Sequence, residues 1–170
     1  MPVTISGVKT LRKALKDYAP DLGKETTKEI ASILKPITKE ARGYVPSPAP
    51  LSGWAKRPNS QGKFPQFDAG EVRRGIGYKS TPSKPNRRGF RALASILNKT
   101  AAGAIYETAG RKTLGGNFVP RLLMLTDSPA GKGRMIYKAW EHNNGKATAA
   151  VVHAIENANK KLEKRANGGI

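Results

Sequence analysis

The sequence predicts an α+β fold, in which an N-terminal helical pair and a C-terminal helix pack on a small antiparallel sheet. Two observations carry this prediction. Long amphipathic segments at helical spacing lie near both ends of the 170-residue chain, and short apolar runs broken by Gly and Pro lie between them. We therefore expect a single domain over residues 1–170, with long basic loops or arms at about 46–70 and 109–134.

Two helices are predicted at the N-terminal end. Ser6 can cap the first helix, and Pro20 ends it. Its apolar side chains follow helical spacing: Val8, Leu11, Leu15 and Tyr18. The second, about 21–43, has the clearest stripe in the chain, formed by Ile30, Ile33, Leu34, Ile37 and Ala41. Pro36 lies inside this helix and is expected to kink it, because proline cannot donate a hydrogen bond to the Ser32 carbonyl.

Residues 46–70 are predicted to form a loop, because five prolines interrupt any ladder or helix there. Three large aromatic side chains within it, Trp54, Phe64 and Phe67, argue against simple disorder. A loop of this length is too long to pack on its own domain, and we expect these rings to lie at or near subunit contacts.

The middle of the chain is predicted to supply the strands. Residues 71–79 alternate as a strand does, although Gly75 and Gly77 weaken the pattern. Residues 90–98 and 102–108 are interpreted as two further strands, the first of which fits a helix equally well. A helix over about 145–165 follows, with the stripe Ala147, Val151, Ile155, Ala158 and Leu162.

The formal net charge is +19, which concerns partners rather than fold. The excess is greatest over residues 44–90, with nine basic and two acidic side chains. Six basic side chains lie in and near the loop 80–89: Arg73, Arg74, Lys79, Lys84, Arg87 and Arg88. They could contact DNA in a channel or an acidic protein partner, and the two possibilities have equal weight.

No catalytic, cofactor-binding or metal-binding constellation is recognisable, and we expect a protein that is not an enzyme and takes no small-molecule substrate. There is no cysteine, and neither His142 nor His153 has a partner at metal-ligand spacing. Asp68 and Glu71 form a close acidic pair, which fits a turn better than acid–base chemistry. No P-loop is present, and no apolar run is long enough to cross a membrane. The first residues lack a signal-peptide pattern, so we expect assembly in a host cytoplasm.

The layout resembles the neck, or tail-completion, proteins of long-tailed phages, the gene-product-ten-like head–tail joining family. Four segments carry the resemblance, in order: the Lys-Pro to Glu-Ala-Arg stretch over 35–42, the Val-Pro to Gly-Trp-basic segment over 45–57, a sheet segment over Ala104 to Gly110 that ends in an acidic residue and glycine, and Met135 to Trp140 as an extended step into the last helix. In the third, Thr108 and Ala109 separate Glu107 from Gly110, where many members have Glu-Phe-Gly-Thr.

This resemblance implies a structural virion protein with no catalytic residues. It implies a ring, sixfold by expectation, that joins the head connector to the tail terminator or tail tube and lies near the end of the packaged DNA. Two alternatives stay open: a tail terminator ring of the same phage type, and a basic nucleic-acid-binding protein of ribosomal or nucleoid kind. The second should gather its charge on one continuous face.

Overall fold

The fold is α+β, as the sequence predicts: helices lie toward both ends of the chain, with a two-stranded antiparallel sheet between them. The structure is a computed structural model. It describes residues 13, 15–17, 19–56, 58, 64–89, 91–109 and 133–168. Within these, Lys13 and residues 15–17 are helical, which agrees with the predicted first helix. The predicted cap Ser6 and most of the loop 109–134 lie outside the described residues.

The longest elements are the two amphipathic helices, α1 (Pro20–Gly43) and α4 (Ile136–Asn167). The predicted stripe of α1 is confirmed, since Ile30, Leu34, Ile37 and Ala41 are buried and Ile33 is half-buried. The stripe of α4 is confirmed in the same way from Ala147 to Leu162. The predicted start of α4, about residue 145, is wrong by nine positions because a distant side chain caps its first turn, as described below.

The region predicted as a strand over 71–79 is instead a short helix, α2 (Ala69–Gly75), followed by strand β1 (Ile76–Lys79). The helix forms because Asp68 caps it, its Oδ1 accepting the Glu71 N–H at 2.7 Å. Gly75 closes it where a Cβ would lie only 2.6 Å from atoms of Asn98 and Thr100. The absence of a side chain thus permits close approach rather than weakening a strand.

Strand β2 (Ser95–Asn98) pairs with β1 and confirms the end of the strand predicted over 90–98. The strand predicted over 102–108 is wrong, since this segment is helix α3 (Ala101–Thr108). Thr100 caps it, its Oγ1 accepting the Gly103 N–H at 3.2 Å. Its buried residues, at helical spacing, are Ala102, Gly103, Tyr106 and Glu107.

The chain divides into two compact units. Unit 1 comprises residues 1–35, 79–95 and 143–170, and unit 2 comprises residues 36–78 and 96–142. In unit 1, Leu15, Ala19 and Leu22 form a core cluster with Ile155 and Ala158 of α4. In unit 2, buried side chains come from all of its described segments: Ile37, Val45, Trp54, Phe67, Val72, Ile76, Tyr106, Met135 and Ala139. Whether the chain behaves as one folding domain stays a prediction.

Candidate functional site

A closed basic turn lies in unit 1, in the part of the chain between β1 and β2. Its base is pinned by two hydrogen bonds, from Ser83 N–H to the Ala92 carbonyl and from Ala92 N–H to Ser83 Oγ, both at 2.9 Å. Its tip is a tight turn in which the Gly89 N–H donates to the Asn86 carbonyl and the Arg88 N–H to Asn86 Oδ1, again both at 2.9 Å. Gly89 has a φ of +79°, which favours glycine. The loop predicted over residues 80–89 is therefore a defined turn.

This turn presents its cations to solvent. Every residue from 81 to 89 is exposed, and so is Arg91. No residue from 72 to 106 is acidic. Within the described part of the chain, Lys84, Arg87, Arg88 and Arg91 form no ion pair with a carboxylate. Their charge is therefore available to an external anion.

The six basic residues predicted as contacts belong to two different units. Lys84, Arg87 and Arg88 share the basic turn, and the exposed Lys79 ends β1 in the same unit. Arg73 and Arg74 instead lie in the last turn of α2 in unit 2, and Arg73 Nη2 donates to the Val45 carbonyl at 3.1 Å. Arg73 thus has a structural contact, which its sequence position did not reveal.

An aromatic cluster lies in unit 2. Its packing corrects the expectation that the loop over residues 46–70 is too long to pack on its own domain. Trp54 and Phe67 are buried within their own unit, with ring centroids 5.1 Å apart. Phe67 also meets Tyr106 edge-on at 5.6 Å. The loop can pack on its own unit because Ala55 and Phe67 form a parallel bridge, which folds the segment back on itself. Only Phe64, 51% exposed, keeps the accessible surface that a subunit contact requires.

An open cleft of about 460 Å³ lies beside this aromatic cluster. Phe64 and Pro65 line one part of it, and Thr100, Ala101 and Ala102 another. A 2.5 Å ion pair between Lys56 Nζ and Glu71 Oε1 lies at its border, and Asp68 caps α2 there. The acidic pair Asp68 and Glu71 therefore has local structural roles at the start of α2, where the sequence predicted a turn and the start of a strand.

Glu107 and Arg134 join α3 to the start of α4 in a reciprocal arrangement. The buried Glu107 carboxylate accepts the N–H groups of Met135 and Tyr137 at 2.8 and 2.9 Å. Arg134 Nη1 donates to the carbonyls of Tyr106 and Ala109, the latter at 2.9 Å. The carboxylate thus satisfies the N-terminus of α4, and the guanidinium satisfies the C-terminal end of α3. The resemblance placed Glu107 at the end of a sheet segment and Met135–Trp140 in an extended step, and both placements are wrong.

One cluster of titratable side chains lies on the surface of unit 2. Glu40 Oε1 accepts the Tyr44 hydroxyl at 2.8 Å and lies 2.9 Å from His142 Nδ1. Burial raises the pKa of Tyr44, and the hydrogen bond to Glu40 adds to the effect. Lys138 Nζ lies 4.7 Å from the centre of the Tyr44 ring. The contacts tie the end of α1 to the first turns of α4, so His142 has a carboxylate partner that its sequence neighbours did not indicate.

Among the described residues, no group of three or more His, Cys, Asp or Glu side chains could hold a metal ion. None of the described helices is long and apolar enough to span a membrane. Large apolar side chains are exposed at Phe64, Tyr137 and Trp140, all in unit 2. Comparisons with protein-family models, curated proteins and solved structures gave no match. The function is therefore inferred from the residues of this chain.

Proposed function

We propose that this protein is a ring-forming structural subunit of the head–tail junction of a long-tailed phage, in the neck or tail-completion position. Two kinds of observation support the proposal. The four family-like segments occur in the family's order between residues 35 and 140, and the fold is of the small α+β kind that such a subunit would have, although α3 and the start of α4 take the places of the expected sheet segment and extended step. The proposed partners are further copies of this chain, the head connector, and the tail terminator or tail tube.

The observation that carries the assembly argument is the exposed aromatic surface of α4. Tyr137 and Trp140 are 48% and 39% exposed and three positions apart, so they lie on neighbouring parts of one helix face. Aromatic side chains are enriched where protein subunits meet. Burying two such rings against a neighbouring copy removes apolar surface from water at about 25 cal/mol per Å². This gives a subunit contact a favourable contribution that the isolated chain lacks.

The mass of the purified protein in solution tests this contact. We expect an oligomer, a hexamer by the resemblance, and a shift toward monomer in Trp140→Gln. Ala149→Gln is the matched control, because Ala149 is an exposed position farther along the same helix. A monomer at all concentrations, or a Trp140→Gln variant that assembles as the wild type does, would remove the assembly argument.

The position in the particle separates the neck role from that of a tail terminator. A phage lacking a neck subunit should accumulate filled heads and tails of normal length that do not join. A phage lacking its terminator should instead make tails of abnormal length, because nothing stops polymerisation of the tube. A protein absent from purified particles would contradict both roles.

The prediction that the protein is not an enzyme is tested separately. We expect no hydrolase, nuclease or nucleotide-dependent turnover from the purified chain. Turnover lost on replacing His142, Glu107 or Asp68, in variants that still fold, would overturn the structural assignment.

A further inference from the structure

We infer that the basic turn, residues 83–92, is a contact for the phosphate backbone of a nucleic acid. This goes beyond the proposed ring function and does not depend on it, because the contact belongs to a single chain. The observation behind it is a juxtaposition: a turn closed at its base and tip carries four exposed cations and lies in a stretch of chain without a carboxylate.

The turn is pre-organised for binding. Hydrogen bonds at Ser83, Asn86 and Ala92 hold the backbone in a tight turn before any partner arrives. Arg87 and Arg88 occupy the two central positions between Asn86 and Gly89, where side chains project into solvent. A preformed loop loses less conformational entropy on binding than a disordered one. Arginine also suits phosphate, since its planar guanidinium donates two parallel hydrogen bonds.

The composition of the turn favours a nucleic acid over an acidic protein. Protein interfaces have an apolar core surrounded by polar groups. The exposed residues 81–89 include two prolines and no larger apolar side chain: Thr81, Pro82, Ser83, Lys84, Pro85, Asn86, Arg87, Arg88 and Gly89. This leaves Phe90 as the one large apolar residue in the sequence of the turn. Phosphate contacts need only cations and hydrogen-bond donors.

The sequence of the turn also contains Phe90, which lies outside the described residues. Because single-strand binders add aromatic rings on which unpaired bases stack, a single strand of the same length is measured beside the duplex. Backbone contacts of this kind carry no sequence information, so binding is expected to be independent of base sequence.

Localising the contact needs a charge-matched control, because a net charge of +19 alone attracts DNA. The turn variant is Lys84→Gln/Arg87→Gln/Arg88→Gln. The control is Lys146→Gln/Lys160→Gln/Lys164→Gln, which removes three exposed cations from α4 in the same unit. Each variant has a net charge of 19 − 3 = +16. Circular dichroism should show both to be folded, since all six positions are exposed.

The measurement is fluorescence anisotropy of a labelled DNA duplex against protein over a range of salt concentrations. Each phosphate contact contributes about 0.9 to the slope of log K against log salt, so the turn variant should lose about 2–3 from that slope and at least ~10-fold in affinity. The control should lose less than about 1 from the slope. A duplex RNA of the same length should show the same difference, because it presents the same phosphates.

Three results would overturn the inference. The wild type could fail to bind either duplex at low salt. The two variants could lose equal affinity, which would assign binding to diffuse charge rather than to the turn. The turn variant could keep its affinity for the duplex while losing affinity for polyglutamate, which would assign the turn to an acidic protein. None of these results bears on ring assembly, which is measured by mass, so failure of one proposal leaves the other standing.

Discussion

The Glu107 carboxylate and the Met135 N–H are 28 positions apart in the chain and joined by a hydrogen bond of 2.8 Å. The second carboxylate oxygen accepts the Tyr137 N–H. A single buried side chain of α3 therefore satisfies two of the N–H groups that the first turn of α4 leaves open. The negative charge also lies at the positive end of the helix dipole.

Replacing Glu107 should destabilise the protein. Glu107→Ala leaves both N–H groups without this acceptor in a buried site, and we expect a loss of about 2–4 kcal/mol in the free energy of unfolding. Glu107→Gln keeps one carbonyl acceptor, so we expect a smaller loss of about 1–2 kcal/mol. Urea unfolding followed by circular dichroism measures both. Glu163→Gln is the control, since Glu163 is exposed on the same helix. Equal stability of Glu107→Ala and the control would contradict this capping role.

Two glycines with positive φ should differ in their sensitivity to alanine. At Gly133, with a φ of +90°, a Cβ would lie 2.6 Å from Glu107 Oε1 and 2.8 Å from the Tyr137 ring. At Gly89, with a φ of +79°, nothing lies within 4 Å. We expect Gly89→Ala to cost about 1 kcal/mol of backbone strain, and Gly133→Ala at least about 2 kcal/mol because a clash is added. Similar thermal midpoints for the two variants would show that the Gly133 site can relax.

The ion pair between Asp21 and Arg165 should make stability depend on pH in acid. Hydrogen bonds from the Arg165 guanidinium, at 2.6 and 2.9 Å, lower the pKa of Asp21 from 3.8 to about 2. Because the folded pKa is the lower one, the contribution is fully present above the unfolded pKa near 3.8. It is lost as the pH falls from there toward about 2. Both side chains are exposed, so solvent screens the effect.

Asp21→Asn measures this contribution. The urea midpoint of the wild type should exceed that of Asp21→Asn above pH 4, with the difference shrinking as the pH is lowered toward 2. High salt should shrink it as well. Asp17→Asn is a control for general charge effects, because Asp17 is exposed. A difference between wild type and Asp21→Asn that does not change with pH would contradict the assignment.

The sequence predicts the two long helices well because the apolar pattern that indicates each helix lies within the helix itself. The stripes of α1 and α4 repeat over many turns, and burial follows them. Residues 102–108 were misassigned because a run of Ala, Gly, Ile and Tyr fits a strand and a helix equally well. The signal for a helix was Thr100, a capping residue directly before two alanines.

The contacts of the candidate site were harder to predict because they are remote in sequence. The carboxylate that fixes the start of α4 lies 28 positions earlier, and no periodicity indicates it. The burial of Trp54 and Phe67 depends on a bridge between Ala55 and Phe67, which folds the loop back. The cations of the basic turn were visible in the sequence, but the pairing of Ser83 with Ala92 that holds them in place was not.

Replacing Pro36 tests whether this proline, inside α1, is needed for assembly. The helix runs continuously from Pro20 to Gly43, and the exposed Pro36 lies inside it without an N–H to donate to the Ser32 carbonyl. Pro36→Ala restores that donor and removes the steric conflict of the ring, so we expect the free energy of unfolding to rise by up to about 3 kcal/mol. Lys35→Ala, at the exposed neighbouring position, should change the free energy of unfolding by less than about 0.5 kcal/mol.

The mass of the Pro36→Ala variant in solution gives the second measurement. If the proline sets a packing angle needed for the ring, Pro36→Ala is more stable than the wild type yet assembles poorly. A variant that is more stable and assembles normally would show that the proline is incidental to assembly, and one with an unchanged midpoint would show that the Ser32 carbonyl is already satisfied.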